Sequence, residues 1–230
     1  MLLEGKVAMI TGGLGCLGSV VGRTFRCLGA RVAVVDRALG PLGADDTASI
    51  AIGGIDLTDI GEARRAVSSV IQHYGRLDVL VNIAGGFVWQ PVGDANPDVW
   101  DQMYSVNLKT AVVATMAAIP HLRAAGSGRI VNMGAASAVS PGVGMGAYAA
   151  AKAGVHCFTA ALAEELRADH ITVNAVLPTI IDTPQNRASM PDADFGTWIQ
   201  PQEIADLIAL LASGQANAMT GAAIVVKGRG

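Results

Sequence analysis

A chain of 230 residues, 51% of them apolar and 15% charged, is long enough to bury a substantial core within one domain. Its net charge of −3 offers nucleic acid no basic face, and its apolar runs are too short to cross a bilayer. Cys16, Cys27 and Cys157 form no disulfide framework, and His73, His121, His156 and His170 show no ligand spacing, so a reducing cytoplasm and no metal are expected.

The amino terminus enters a strand almost at once, without a secretory or membrane signal. Residues 6–10 form an apolar run suited to a buried parallel strand, and a helical pattern follows to about Leu28. Between them lies Thr11-Gly12-Gly13-Leu14-Gly15-Cys16-Leu17-Gly18, in which Gly13, Gly15 and Gly18 fit G-x-G-x-x-G. Such a turn lets the backbone approach a pyrophosphate whose charge the helix N-terminus holds, although a tight turn without ligand reads the same way. A second apolar strand at 31–35 ends on Asp36, 18 residues beyond Gly18. A carboxylate there can accept from both ribose hydroxyls of NAD and would repel a 2′-phosphate, while the neighbouring Arg37 keeps NADP use open.

The stretch from Leu39 to Ser49 is rich in Gly, Pro and Asp and is expected to be a loop in place of a helix. Further strands are expected near 50–54, 78–82, 129–133, 171–176 and 222–226, and helices near 58–74, 98–125, 146–168 and 201–213. This alternation predicts an α/β fold, a single Rossmann-type domain over 1–230 with a doubly wound parallel sheet of about seven strands and right-handed crossovers. Residues 183–200 carry Pro184, Met190, Pro191, Phe195 and Trp198 and are expected to form a substrate loop; Trp89 reads as pocket wall or core.

In the alanine-rich helix at 146–168, Tyr148 and Lys152 stand four residues apart and share a face. An ammonium at ~4 Å attracts a phenolate by roughly 4 kcal/mol at an effective dielectric of ~20, enough to move a phenol from ~10 toward neutrality. Tyr148 is thus a candidate proton donor or acceptor, the alternative being a packed ring beside a solvated charge.

Taken together, these residues resemble the short-chain dehydrogenase/reductase family, which pairs a T-G-x-x-x-G-x-G turn with Y-x-x-x-K. Thr11, Gly12 and Gly18 match the turn, with Cys16 at the middle glycine position. Asn82-Ile83-Ala84-Gly85 matches N-N-A-G with Ile83 for the second Asn, Asn107 matches the helix Asn, and Asp56-Leu57 sits where the family contacts adenine. Pro178-Thr179-Ile180-Ile181-Asp182-Thr183 resembles the P-G-x-x-x-T loop that holds the nicotinamide. The resemblance implies a cofactor site made of Gly12, Gly13, Leu14, Gly15, Leu17, Gly18, Asp36, Arg37, Asp56, Leu57, Asn82, Ala84, Gly85, Tyr148, Lys152, Pro178, Ile181 and Thr183. It also implies NAD rather than NADP, hydride exchange with a small carbonyl or alcohol substrate, and catalytic roles for Tyr148, Lys152 and Asn107. Tyr148 would move the proton, Lys152 would lower its pKa, and Asn107 would hold a relaying water.

The family's substrate-orienting Ser, thirteen positions before the Tyr, is Ala135 here, and Ser137 or Ser140 could replace it only in a rearranged loop. Ala at this position, with the segment from Leu177 through Trp198, is similar to the quinonoid dihydropteridine reductases, so a dihydropterin substrate is one alternative; a cofactor-binding homologue with little turnover is another. The resemblance further implies a homodimer or homotetramer formed through the helices near 98–125 and 146–168, with Ala111 to Ala118 giving close approach; the charge and the short apolar runs leave no nucleic-acid or membrane partner expected.

Overall fold

The β1 strand, Val7–Thr11, is buried along its whole length, as expected of a parallel strand covered by helices on both faces. In the computed structural model, which describes residues 1–40 and 49–229, β1 is an interior strand of a seven-stranded parallel sheet, next to the central β4. The other strands are β2 (Arg31–Val35), β3 (Ser49–Ile52), β4 (Val79–Asn82), β5 (Arg129–Met133), β6 (Thr172–Pro178) and β7 (Ala223–Val226), in the order β3-β2-β1-β4-β5-β6-β7. The helices are α1 (Cys16–Cys27), α2 (Ile60–Tyr74), α3 (Pro97–Tyr104), α4 (Thr110–Ala124), α5 (Gly146–Glu165), α6 (Pro184–Ser189) and α7 (Pro201–Ala212).

Strand periodicity sends alternate side chains into two cores. Val7 and Met9 of β1 join Leu80 of β4 and Ile130 of β5 beneath α2, α4 and α5. Ala8 and Ile10 join Val79, Val81 and Val131 beneath α1 and α7, where Phe25 and Ile208 are fully buried. Helix ends are fixed locally. Asp59 accepts from the Glu62 amide at the start of α2, Gly75 closes that helix at φ 80°, and Gln200 and Glu203 form a capping box on α7.

Several expectations change. The helix expected over 98–125 is interrupted by a π turn at Ser105–Lys109 between α3 and α4. The segment expected at 183–200 is not an open loop but contains α6 and a 3-10 turn at Phe195–Thr197. Most of the loop expected from Leu39 to Ser49 lies outside the described residues, and Ser49 itself opens β3. Ala114 and Ala118 have no exposed surface and Ala111 and Ala117 are buried as well, so this face packs inside the subunit instead of meeting a partner. No helix among the described residues is long and apolar enough to cross a membrane.

A cavity of about 570 Å³ opens at the N-terminal edge of the sheet, lined by Lys6, Asp78, Arg129 and His170 among others. Arg129 there donates to the Gly128 and Ser213 carbonyls and to Asn217, beyond the ends of α4 and α7. A guanidinium among helix C-termini answers their partial negative charge, which makes this cavity structural.

Candidate cofactor and active site

The opposite edge, at the C-terminal ends of β1 and β4, is where the strand order reverses and where parallel sheets open a crevice. Thr11 Oγ1 accepts from the Ile83 and Ala84 amides at 3.1 and 3.2 Å, binding the end of β1 to the segment after β4. Gly12 has φ +65°, and a Cβ there would lie 2.9 Å from the Ala84 nitrogen. A Cβ on Gly13 would overlap Val34, and one on Gly18 would overlap the Gly12 carbonyl oxygen. The turn is therefore drawn against its neighbours at three glycines, leaving backbone amides at the start of α1, whose first turn no side chain caps. This cradle fits a dinucleotide diphosphate. Gly15 has more room, its Cβ meeting only the Gly12 oxygen at 3.2 Å, and Cys16 is exposed as the first residue of α1. Leu14 and Leu17 turn toward the core beneath α1.

Asp36 follows β2 and reaches back to the turn: Oδ2 accepts from the Leu14 amide at 3.1 Å and Oδ1 from Ala38 at 3.0 Å. Arg37 is exposed beside it. Asp56 is exposed and accepts from both the amide and hydroxyl of Thr58, which hold its carboxyl below the usual range. Two residues expected at the cofactor have side chains that turn inward. The Leu57 side chain lies in the core, leaving only its backbone toward the crevice. The buried Asn82 amide donates to Thr115 Oγ1 and Asn132 Oδ1, and Asn132 donates to Thr159 in turn, so this side chain braces the sheet against α4 and α5.

Tyr148 and Lys152 lie in the first two turns of α5. Lys152 is 5% exposed and donates to the Met133 carbonyl at 2.7 Å, and its Nζ stands 5.9 Å from the centre of the Tyr148 ring. Burial governs both groups: it pushes the phenol up to about 12 and the ammonium down to about 8. The expected lowering of the phenol by its neighbour is thus reversed, because each charged form loses more hydration than the other restores.

Asn107 occupies the π turn, and its buried side chain is turned onto backbone. Oδ1 accepts from the Gly86 amide at 3.1 Å, while Nδ2 donates to the Gly86 and Met103 carbonyls. A Cβ on Gly85 would sit 2.7 Å from Asn107 Oδ1 and 3.5 Å from Lys152 Nζ, so Ala84-Gly85, Asn107 and Lys152 converge. Both Nδ2 protons are engaged by protein, so the Asn107 side chain positions this segment and has only oxygen acceptors left to offer.

Pro178 ends β6, Ile181 bridges Ile199, and Thr183 caps α6 through the Asn186 amide. Asp182 is paired with Arg187 through both carboxylate oxygens at 2.6 and 2.7 Å and also accepts from Gln200, which lowers it to about 2. Arg187 in turn lies over the Phe195 ring, and Phe195 packs on the buried Trp198. This organisation was not anticipated, since Asp182 and Arg187 are five apart in sequence and match no helical pairing rule. Phe87 was missed too: directly after the Ala84-Gly85 segment, its ring meets Tyr148 edge-on at 5.0 Å. Trp89 is not core, being 58% exposed.

The short chain dehydrogenase family profile matches residues 6–194. The chain belongs to the short chain dehydrogenases. Among relatives of this short chain dehydrogenase, the 3-oxoacyl-(acyl-carrier-protein) reductase of Thermotoga maritima is 32% identical over 99% of this chain and 98% of its own. The trans-4-hydroxycyclohexanecarboxylate dehydrogenase of Sinomonas cyclohexanicum is 33% identical, with 97% and 92% covered. The crystal structure of the 3-ketoacyl-(acyl-carrier-protein) reductase of Brucella melitensis complexed with NADH superposes with a TM-score of 0.89 at 31% identity, covering 99% of this chain and 98% of that one. The short chain dehydrogenase described here is accordingly a nicotinamide-dependent oxidoreductase with the family's seven-stranded parallel sheet.

Proposed function

We propose that this short chain dehydrogenase uses NAD(H) in preference to NADP(H) and interconverts a small carbonyl compound and its alcohol at Tyr148. The observation that carries this reading is the convergence of Lys152 Nζ and Asn107 on Gly85, with Tyr148 one helical turn from Lys152 and the glycine cradle on the adjoining strand. Gly12, Gly13, Gly15 and Gly18 would shape the diphosphate cradle beside the Leu17 amide, while the Leu14 amide fixes Asp36, which would hold the adenosine ribose. Asp56 and the Leu57 backbone would border the adenine, while Ala84, Gly85, Pro178, Ile181 and Thr183 would border the nicotinamide. Bound nicotinamide supplies or takes up the hydride. Tyr148 keeps its proton at neutral pH and donates it to the developing alkoxide oxygen; Lys152, at about 8, can return a proton to the phenolate.

Asp36 supports the cofactor preference, because a 2′-phosphate beside its carboxylate would face like charge while the 2′-hydroxyl can donate to it. Ala135 favours a second reading, an acceptor already electron-poor such as a quinonoid dihydropterin, for which an oxyanion donor matters less. A protein that binds cofactor with little turnover would have no need of Tyr148 and Lys152 together. Calorimetric titration should show tighter NADH than NADPH binding, with the gap narrowed by Asp36→Ser; tighter NADPH binding would reject the ribose assignment. NADH oxidation with ketones, quinones and quinonoid dihydropterin, and NAD reduction with alcohols, separates the two substrate readings.

A further inference from the structure

The wall beside Tyr148 carries no charge. Trp89 Nε1 donates to the Val143 carbonyl and the Gln90 amide to Gly144, both at 2.8 Å, which clips the segment after β4 onto the segment preceding α5. Gly144 has φ +74°, and a Cβ there would overlap the indole, so Trp89 lies directly against the backbone. With Phe87 edge-on to Tyr148, this leaves four large apolar side chains open to solvent: Phe87, Trp89, Val139 and Val143 are 49, 58, 64 and 82% exposed.

The sequence contains no Asp, Glu, Lys, Arg or His from 79 to 93 or from 130 to 151. Onward from the wall, the charges up to residue 106 are Asp94, Asp98 and Asp101, all acidic and exposed. Across the crevice, the charge of Arg187 is held by Asp182. Ala135, buried after β5, brings no hydroxyl to the segment that leads to α5. A carboxylate or phosphate brought to this wall would lose water and meet no basic side chain on either stretch, the ammonium of Lys152 being buried against the Met133 carbonyl, and an acidic carrier protein would approach three aspartates.

Resting on the assignment of Tyr148 above, we infer that the site takes an uncharged, apolar ring ketone or its alcohol against Phe87 and Trp89, and turns away acyl chains delivered on coenzyme A or a carrier protein. In reduction the hydride forms the new C–H bond at the ring carbonyl carbon and the C=O π pair moves to oxygen. That oxygen takes the Tyr148 proton, and the dihydronicotinamide is oxidised.

The test compares 1-tetralone and cyclohexanone with 4-oxocyclohexanecarboxylate and acetoacetyl-coenzyme A, each with NADH. The neutral rings should exceed the anionic compounds by at least about tenfold in kcat/KM, the penalty for one poorly compensated charge. Val143→Lys should narrow that ratio by raising turnover of the carboxylate. Independently of turnover, 1-tetralone should quench tryptophan fluorescence of the NAD-bound protein saturably, and Phe87→Ala and Trp89→Leu should weaken the binding. Anionic substrates used as well as or better than the neutral rings would overturn the inference while leaving the oxidoreductase assignment intact. Saturable quenching by 1-tetralone without turnover of any ketone would support the inference and reject the assignment of Tyr148. Absence of both quenching and ring-ketone turnover overturns it.

Discussion

Tyr148 and Lys152 set the pH behaviour of the site, and the signs follow from burial. The phenol stays protonated until about pH 12, so the donor needed for reduction is present throughout the neutral range. Lys152 loses its proton as pH rises through about 8, so reduction should be flat below pH 7 and fall above 8, while oxidation, which needs phenolate, should rise with pH. A reduction rate that climbs from pH 8 to 9 contradicts this assignment. For stability the sign is separate. The folded value of Lys152 lies below the ordinary 10.5, so between about 8 and 10.5 the unfolded chain binds the extra proton and stability gains with rising pH. Lys152→Met should therefore raise the melting temperature at pH 7 by a few degrees, the difference shrinking toward pH 10, even as turnover is lost; an equal melting temperature at both pH values would show that the ammonium is not buried in solution. Tyr148→Phe should cost about 100- to 10,000-fold in rate with NADH affinity within a few-fold, the range for a general acid. Ser137→Ala should cost less than about tenfold, well under the loss expected for an oxyanion donor. A Ser137 effect as large as that of Tyr148 would assign its buried, unpartnered hydroxyl to the missing serine's role.

Among the elements, α6 and the turn after it depend on one ion pair. Asp182, with its side chain 8% exposed, fixes Arg187, and Arg187 fixes Phe195. Arg187→Ala should raise KM for substrate several-fold, leave kcat nearly unchanged, and speed proteolytic cleavage between 184 and 197; a fall in kcat alone would place Arg187 in the chemistry. The strands were legible because alternating burial on two helix-covered faces leaves continuous apolar runs, and Gly12, Gly13 and Gly18 were legible because the turn has no space for Cβ atoms. The π turn was not, since the apolar pattern runs on through Ser105–Lys109 without a break and the register change is set by the packing of Asn107 on Gly86. The inward bonds of Asn82 were not legible for a related reason: a motif fixes which residue stands at a strand end but not which way its amide turns, and Asn132 and Thr115 supply partners for its Nδ2 inside the molecule.

For the whole molecule, the fold came from the order of strand and helix signals, whereas assembly depends on which small residues one subunit leaves uncovered. The buried alanines of α4 leave Met116, 57% exposed, and α5 leaves Ala150, Cys157, Ala160 and Ala161 at the surface. Light scattering at micromolar concentration should give a dimer or tetramer, and Ala160→Arg should dissociate it. A monomeric mass for the unaltered protein would mean these positions are ordinary surface. The interior place of β1, paired on one side with a strand made much later, has a different consequence, in time. Thr11 meets Ile83 only after 72 further residues have been made, and the segment that holds Asp182 and Arg187 follows later still. At roughly 5–20 residues per second the ribosome needs several seconds to provide β4 and about ten or more to provide α6. Throughout that interval the nascent β1 and β2 have unpaired edges and bare apolar faces, so a chaperone that shields the first hundred residues should matter more to the yield of this enzyme than one acting on the finished chain.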